Sequence, residues 1–465
     1  MAYQYTQDQQ DKTENAQRIA FFEYLFVLML ILYAGKGNTF FLSQSPTDNP
    51  IGFILPVILS GLLALRWRVI YDYKFYLLIF GFTAYFVAVS IKYKEIQPTF
   101  FIHYMLLFFI VYTAIKSLGF RIFKIYEYLL FWLALIGLFM LFVQIVLGGD
   151  TLFNIISRIN ILKETSYVTG YGMNAILYSV QPSEKALLHN ISLPRNCGFA
   201  WEPGAFAVYL CLALFINLFY PNRDAAVKKR FLVLLFALLS TQSTTGYVIF
   251  MLIISFYLIN KKLQKVLIFL PVLVVTLIFI SSLPFMKDKI IEYIAEADRI
   301  NYIVELSIGR ETAVNPQRFA SFKIAFIDFM DNPVLGLAAH REETWTYKIG
   351  ANVSPISGIG NLMAQFGIIG FLFFIILTVK SSFVFSRYYK YNGHFLLFFI
   401  IILVSVSYTL IFLPLIMCFW MVSLFAEPEA NVINEKPLEI PDENRPGLAR
   451  IRGVIKNISR PVSEL

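Results

Sequence analysis

A chain of 465 residues that is 58% hydrophobic, 15% charged and rich in phenylalanine (47 residues) holds more apolar side chain than one soluble domain can bury. This excludes an ordinary soluble enzyme and points to an integral membrane protein, so the formal charge of +9 is a matter of loop distribution and not of a nucleic-acid partner. Three cysteines exclude a disulfide framework: Cys211 and Cys418 fall in apolar runs and Cys197 at a helix mouth, where each reads as a small buried hydrophobe.

Residues 1–18 carry Asp8, Asp11 and Glu14 against Lys12 and Arg18. They lack the basic start and small-residue cleavage site of a secretory signal, so the first apolar run is expected to remain as a span. Apolar runs follow at 19–34, 51–65, 75–91, 100–115, 125–147, 203–220, 231–242, 246–260, 266–283, 356–379 and 395–425. The last is too long for one upright helix and carries Pro414, so it reads as a closing pair. The expectation is an all-α polytopic membrane protein of about 12 spans. Run 231–242 would rise only about 18 Å. It is expected to form a hairpin with 246–260, turning at Ser240-Thr-Gln-Ser-Thr-Thr-Gly246. Non-helical backbone at that depth survives only where protein or a water-filled cavity satisfies it.

Alternate connections hold the basic residues: Arg66, Arg68 and Lys74; Lys116, Arg121 and Lys124; Arg223, Lys228, Lys229 and Arg230; Lys261, Lys262 and Lys265; Lys380, Arg387 and Lys390. The opposite short loops carry Lys36, Lys92 and Lys94. This asymmetry puts both termini in the cytoplasm and the long loops, about 148–197 and 284–355, outside. Residues 426–465, polar and proline-bearing, read as a disordered cytoplasmic tail after a membrane domain at 19–425.

Chemistry is expected at the helix mouths and in the long loops. Arg195-Asn-Cys-Gly-Phe-Ala-Trp-Glu202-Pro-Gly opens the run to Tyr220, and Pro203 at the first helical position makes Glu202 its N-cap, with Arg195 as partner. The second long loop carries Arg310 and Arg318 around the start of an amphipathic stretch with Phe319, Phe322, Phe326 and Phe329, expected to lie on the membrane surface. Arginine grips phosphate in a planar fork, and helix N-termini add positive field, so an anionic ligand fits. The alternative is that these arginines pair with Glu292, Glu296, Glu305 or lipid headgroups. Four histidines, at 103, 189, 340 and 394, show no metal-ligand spacing, and His189 or His340 could carry a proton. No HExxH, CxxC, Walker A or loop DxD pair is present, so neither metal nor cofactor is expected.

Four local features resemble the O-antigen polymerase and ligase superfamily of bacterial membrane glycosyltransferases, over roughly 190–425. They are Arg195-x-x-Gly198-Phe-x-x-Glu202-Pro-Gly; the Ser240–Gly246 turn; Arg318 followed by Asn332-Pro-Val-Leu-Gly336; and Gly360-Asn-Leu-Met-Ala-Gln-Phe-Gly367-Ile-Ile-Gly370. The resemblance implies an undecaprenyl-diphosphate-linked glycan donor and acceptor at the outer face of the bacterial inner membrane. Membrane lipids, a chain-length regulator and a flippase would be further partners. For such a transfer, Arg195, Arg310, Arg318, Ser243 and Thr244 are the candidates for diphosphate binding, and Glu202 or His340 for the catalytic base. Ligases of the superfamily carry a histidine shortly before a Gly-x-x-Gly, whereas Ser354-Pro-Ile-Ser-Gly-Ile-Gly-Asn361 has none. That departure favours a polymerase of O-antigen, capsule or exopolysaccharide and leaves the base open. A metal-independent transfer is expected, with guanidinium groups taking the leaving diphosphate's charge. A ligase and a lipid-linked oligosaccharide flippase are the alternatives. Against a transporter stand the scarcity of ionisable residues in the spans and the lack of an evident inverted repeat.

Overall fold

Every apolar run that falls among the described residues is helical. The structure, a computed structural model, describes residues 21–35, 50–159, 173–174, 177–180, 184–188, 191–220, 223–261, 300–310 and 313–426. The expected span at 266–283 and the tails at 1–18 and 427–465 lie outside the described residues. The first helices are α1 (Phe21–Gly35), α2 (Pro50–Arg66), α3 (Tyr73–Tyr93), α4 (Pro98–Leu118), α5 (Arg121–Leu147) and α6 (Gly149–Ile159). The first long loop holds two antiparallel hairpins, β1 (Met173–Asn174) with β2 (Ser179–Val180) and β3 (Glu184–Leu188) with β4 (Ile191–Pro194). Then come α7 (Pro203–Leu218), α8 (Ala225–Ser240), α9 (Thr244–Lys261), α10 (Ile300–Glu305), α11 (Arg318–Asp331) and the one-turn α12 (Trp345–Lys348). The chain closes with α13 (Gly358–Tyr388), α14 (Leu396–Ser407) and α15 (Pro414–Phe425). Helices α3, α4, α5 and α13 are long and apolar enough to cross a membrane, and α1, α7, α9, α14 and α15 are shorter apolar helices. The chain is an all-α polytopic membrane protein.

Helix starts follow local chemistry. Asp72 caps α3 by accepting from Phe75 N at 3.1 Å, and Asp224 caps α8 by accepting from Val227 N at 2.7 Å. The Asp224 cap is why α8 begins ahead of the apolar run at 231. Ser243 and Ser357 cap α9 and α13 through Gly246 N at 3.2 Å and Gly360 N at 3.3 Å.

Every residue of α7 is buried. A helix apolar on all sides belongs in an interior, and α7 is packed by α5, α8 and α9. Helix α13 is packed by α11, α14 and α15, and α9 touches α14, which joins the two groups. Three breaks interrupt this bundle. Thr241, Gln242 and Ser243, all buried, separate α8 from α9 as expected, with Gln242 at φ 49°. The closing run breaks earlier than its proline suggests: Tyr408 is extended (φ −149°, ψ 150°), a 3₁₀ turn spans Thr409–Phe412, and Pro414 opens α15. Proline forces Leu413 before it out of the helical region, so the disruption spreads back toward Tyr408. The third break, at Gly367 (φ 61°, ψ −160°) inside α13, divides a run that the sequence presents as continuous.

Candidate active site at the converging helix N-termini

Tyr408, in the break between α14 and α15, is buried with only 5% exposure. The Arg318 guanidinium, at the first residue of α11, lies over its ring with the central carbon 4.4 Å from the centroid. Arg318 Nη2 donates to the Tyr408 hydroxyl, and Nη1 donates to Thr245 Oγ1 at 2.8 Å. The Thr245 and Ser407 hydroxyls are 3.2 Å apart, which ties α9 to the end of α14. Gly204 in the first turn of α7 completes the contact: a Cβ there would lie 1.8 Å from the Tyr408 hydroxyl oxygen and 3.6 Å from Arg318 Nη2. Only a residue without a side chain lets the phenol and guanidinium approach this backbone.

Glu202 occupies the N-cap of α7 in extended backbone, and its carbonyl accepts from Phe206 N at 3.2 Å. Its carboxylate does not cap the helix; it lies close enough to Tyr408 to act on that phenol electrostatically. Arg195 differs from expectation. Its guanidinium does not take Glu202 as its hydrogen-bond partner but donates to the carbonyls of Thr241 at 3.1 Å and Gln242 at 3.2 Å. Those carbonyls are left over where α8 ends, and a fixed cation satisfies two of them at once. Arg195 still contributes to the field at Tyr408 together with Glu202 and Arg318. Three charges named from sequence therefore meet around one phenol, two guanidinium groups against one carboxylate.

The same place gathers helix N-termini. Gly204, Thr245 and Arg318 lie in the first turns of α7, α9 and α11. Gly358, which opens α13, is so close that a Cβ would sit 2.1 Å from Tyr408 O. Each N-terminus carries the partial positive charge of its helix dipole. Their convergence with Arg318 forms a region suited to an anion such as phosphate.

The other sequence-named residues are distributed as follows. Ser243 spends its hydroxyl on capping α9, and Thr244 is half-buried beside it. Arg310 is exposed on the second long loop, where its carbonyl accepts from Asn352 at 3.2 Å. Its backbone bonds, to Ser307 and Asn352, tie it to that loop. His340 is buried in a second cluster: Nδ1 contacts Leu337 O at 3.1 Å, its ring stacks on Tyr93 at 4.3 Å, and Nε2 faces Glu95 Oε2 at 3.7 Å. The expected amphipathic stretch is α11, which buries Ser321, Ile324, Ala325 and Asp328 and leaves Phe319 and Met330 exposed. All three cysteines are free and buried, as expected.

The four sequence features are parts of one contact system. Asn196 binds Ser240 through both backbone and side chain, at 3.0 and 2.9 Å, and Cys211 Sγ lies 3.2 Å from Gly246 O, joining the first feature to the turn. Arg318 bridges that turn to Tyr408. Gly336 (φ 70°) is set against the Gly367 break: Leu337 N and Ala338 N donate to Ala364 O and Gln365 O, and Ile368 N donates to Pro333 O. Tyr85 closes this joint through Leu335 O at 2.9 Å and Gln365 O at 3.0 Å. Sequence reading missed Tyr408 and Thr245. The cluster of Ser405, Ser407, Tyr408 and Thr409 just ahead of a proline is the signal that could have found the first. Thr245 sits one residue past the predicted Thr244 and could be found only from the helix phase.

Fold and site define a polytopic all-α membrane protein with a guanidinium-bearing buried centre made by helix ends. Residues 230–375 match the family model described as O-antigen ligase, in agreement with the resemblance read from the motifs. That segment holds Thr245, Arg318, Gly336, His340 and Gly367. No curated protein matches the chain. The family signature implies glycan transfer in O-antigen or related polysaccharide synthesis.

Proposed function

We propose that this protein is a polysaccharide polymerase that moves a glycan from a polyprenyl-diphosphate carrier onto a lipid-linked acceptor at the outer face of the bacterial inner membrane. The observation that carries this reading is Arg318, held between Tyr408 and Thr245 where α7, α9, α11 and α13 begin. The acceptor hydroxyl attacks the anomeric carbon, the bond from that carbon to the diphosphate oxygen breaks, and the diphosphate leaves with the electron pair. Arg318 and the helix N-termini stabilise the growing negative charge, an effect whose loss typically lowers rate about 10²–10³-fold. Glu202, beside Tyr408, accepts the proton of the attacking hydroxyl. Arg195 acts by holding the Thr241–Gln242 break in place. His340 and Arg310 stand outside this step.

The test is the length profile of surface glycan in cells lacking the protein and complemented with wild type, Glu202→Gln or Arg318→Ala. Polymerisation predicts single repeat units without the protein, a ladder with wild type and no ladder with either variant. Full-length chains accumulating on the lipid carrier would instead establish a ligase. An unchanged profile in the deletion would overturn both.

A further inference from the structure

The sequence shows no metal-ligand spacing, yet the fold brings three ligating groups together from two distant segments. Glu95, in the connection between α3 and α4, meets His340 and Glu342 of the second long loop, and one ligand atom from each lies within 4.8 Å of the others. We propose that Glu95, His340 and Glu342 form a binding site for a first-row divalent cation of the zinc or manganese type, which clamps the second long loop to the α3–α4 connection.

His340 carries the argument, because two exposed glutamates alone would only be a solvated acidic patch. It is 3% exposed, and its Nε2 is buried without a hydrogen-bond partner. Nδ1 lies 3.1 Å from Leu337 O, and a carbonyl can only accept, so the proton of the neutral ring sits on Nδ1. The lone pair on Nε2 is thereby directed toward Glu95, 3.7 Å away. A backbone carbonyl fixing one ring nitrogen while the other faces a ligand position is the arrangement that orients metal-binding histidines. The ring plane is held by stacking on Tyr93, whose hydroxyl donates to Asn332 Oδ1 or Gly336 O, both at 3.0 Å. An orphaned buried nitrogen is uncommon in a folded protein and calls for an occupant.

Distances agree with this role. Metal bonds of about 2.1 Å place two ligand atoms about 3.4 Å apart in a tetrahedral site. The His340–Glu95 separation needs only a small closure, and both glutamates are exposed and can turn. Imidazole with two carboxylates suits Zn²⁺ or Mn²⁺ better than the all-oxygen preference of Ca²⁺ or Mg²⁺. The cation would join the α3–α4 connection to the part of the second long loop that follows α11 and is already set against α13. Its role is to fix that loop, with no part in the transfer step, so the proposal does not depend on the glycan chemistry.

The experiment uses full-length, tag-free protein in detergent, stripped with EDTA and titrated separately with Zn²⁺ and Mn²⁺. Bound metal is measured after gel filtration, and the melting temperature is followed alongside. The expected result is one equivalent of one of the two ions and a rise of several degrees in melting temperature. His340→Gln should abolish both, and Glu95→Gln and Glu342→Gln should each weaken binding at least tenfold. The two glutamates are exposed, so their variants carry the test should His340→Gln fail to fold. Absence of saturable binding to wild type, or binding undiminished in both glutamate variants, overturns the proposal.

Discussion

Arg318 spends its planar fork in two directions, on the Tyr408 hydroxyl and on Thr245 Oγ1, while its face covers the Tyr408 ring. Lysine keeps the charge but has no fork and no flat face, so Arg318→Lys is expected to lower transfer about 10²-fold or more, close to the loss for Arg318→Ala. Tyr408→Phe leaves the ring beneath the guanidinium and removes only the hydroxyl. It should keep the melting temperature within a few degrees while turnover falls by about tenfold or more, as read from purified lipid-linked substrate. Asp328, on the buried face of α11, accepts from Trp345 N at 2.6 Å, and burial pushes its carboxyl up to about 6. The docked loop therefore binds this proton more tightly than an undocked one. Its stabilisation is fully present below the ordinary carboxylate range and is lost as pH rises through about 6. Hydrogen-exchange protection across 313–348, corrected for the intrinsic base-catalysed rate at each pH, should be greater at pH 5 than at pH 7.5, and Asp328→Asn should remove most of that change in protection.

The helical elements were legible because apolar runs of span length have few alternatives, whereas the breaks were legible only in part. The turn at 240–246 announced itself by its polar run, and the structure keeps it there with the three residues Thr241–Ser243 buried. The break at Tyr408 was hidden behind Pro414, which supplies the more familiar signal. Gly367 gave no warning at all, since a glycine among apolar residues reads equally well as close helix packing. Its role depends on Gly336, 31 positions earlier in the chain, and no local pattern encodes that pairing. A Cβ at Gly336 would lie 2.5 Å from Gln365 backbone, and one at Gly367 would lie 2.3 Å from Val334 O, with both residues at positive φ. Gly336→Ala and Gly367→Ala are each expected to destabilise by about 2–4 kcal/mol from strain and overpacking. Because both disrupt one joint, the double variant should lose clearly less than the sum of the two in detergent melting curves. The candidate site divides in the same way. Arg195, Glu202 and Arg318 stand out as charges at helix mouths, but Tyr408, Thr245 and Glu95 gain their partners only when distant segments meet.

At the scale of the molecule, α7 links two polar centres, one at each end of about 24 Å of buried helix. Its first turn meets Tyr408 and Arg318; its last turn brings Asn217 to Glu127 at 2.7 Å, where Arg230 also pairs at 3.0 Å. Removing one member of such a buried set leaves the others uncompensated. Glu127→Ala should therefore destabilise by about 3–5 kcal/mol, seen as a lower melting temperature, while surviving protein keeps the wild-type product length. The opposite end has a different consequence. Loop 332–340 and the kinked helix at 364–368 are joined mainly backbone to backbone, with the Tyr85 hydroxyl bridging the two. A chimaera that grafts the second long loop from a relative should then assemble only when its boundaries carry both segments together. Recombination points between residues 340 and 358 would separate lock from keyway, while points beyond Gly370 would transplant them intact.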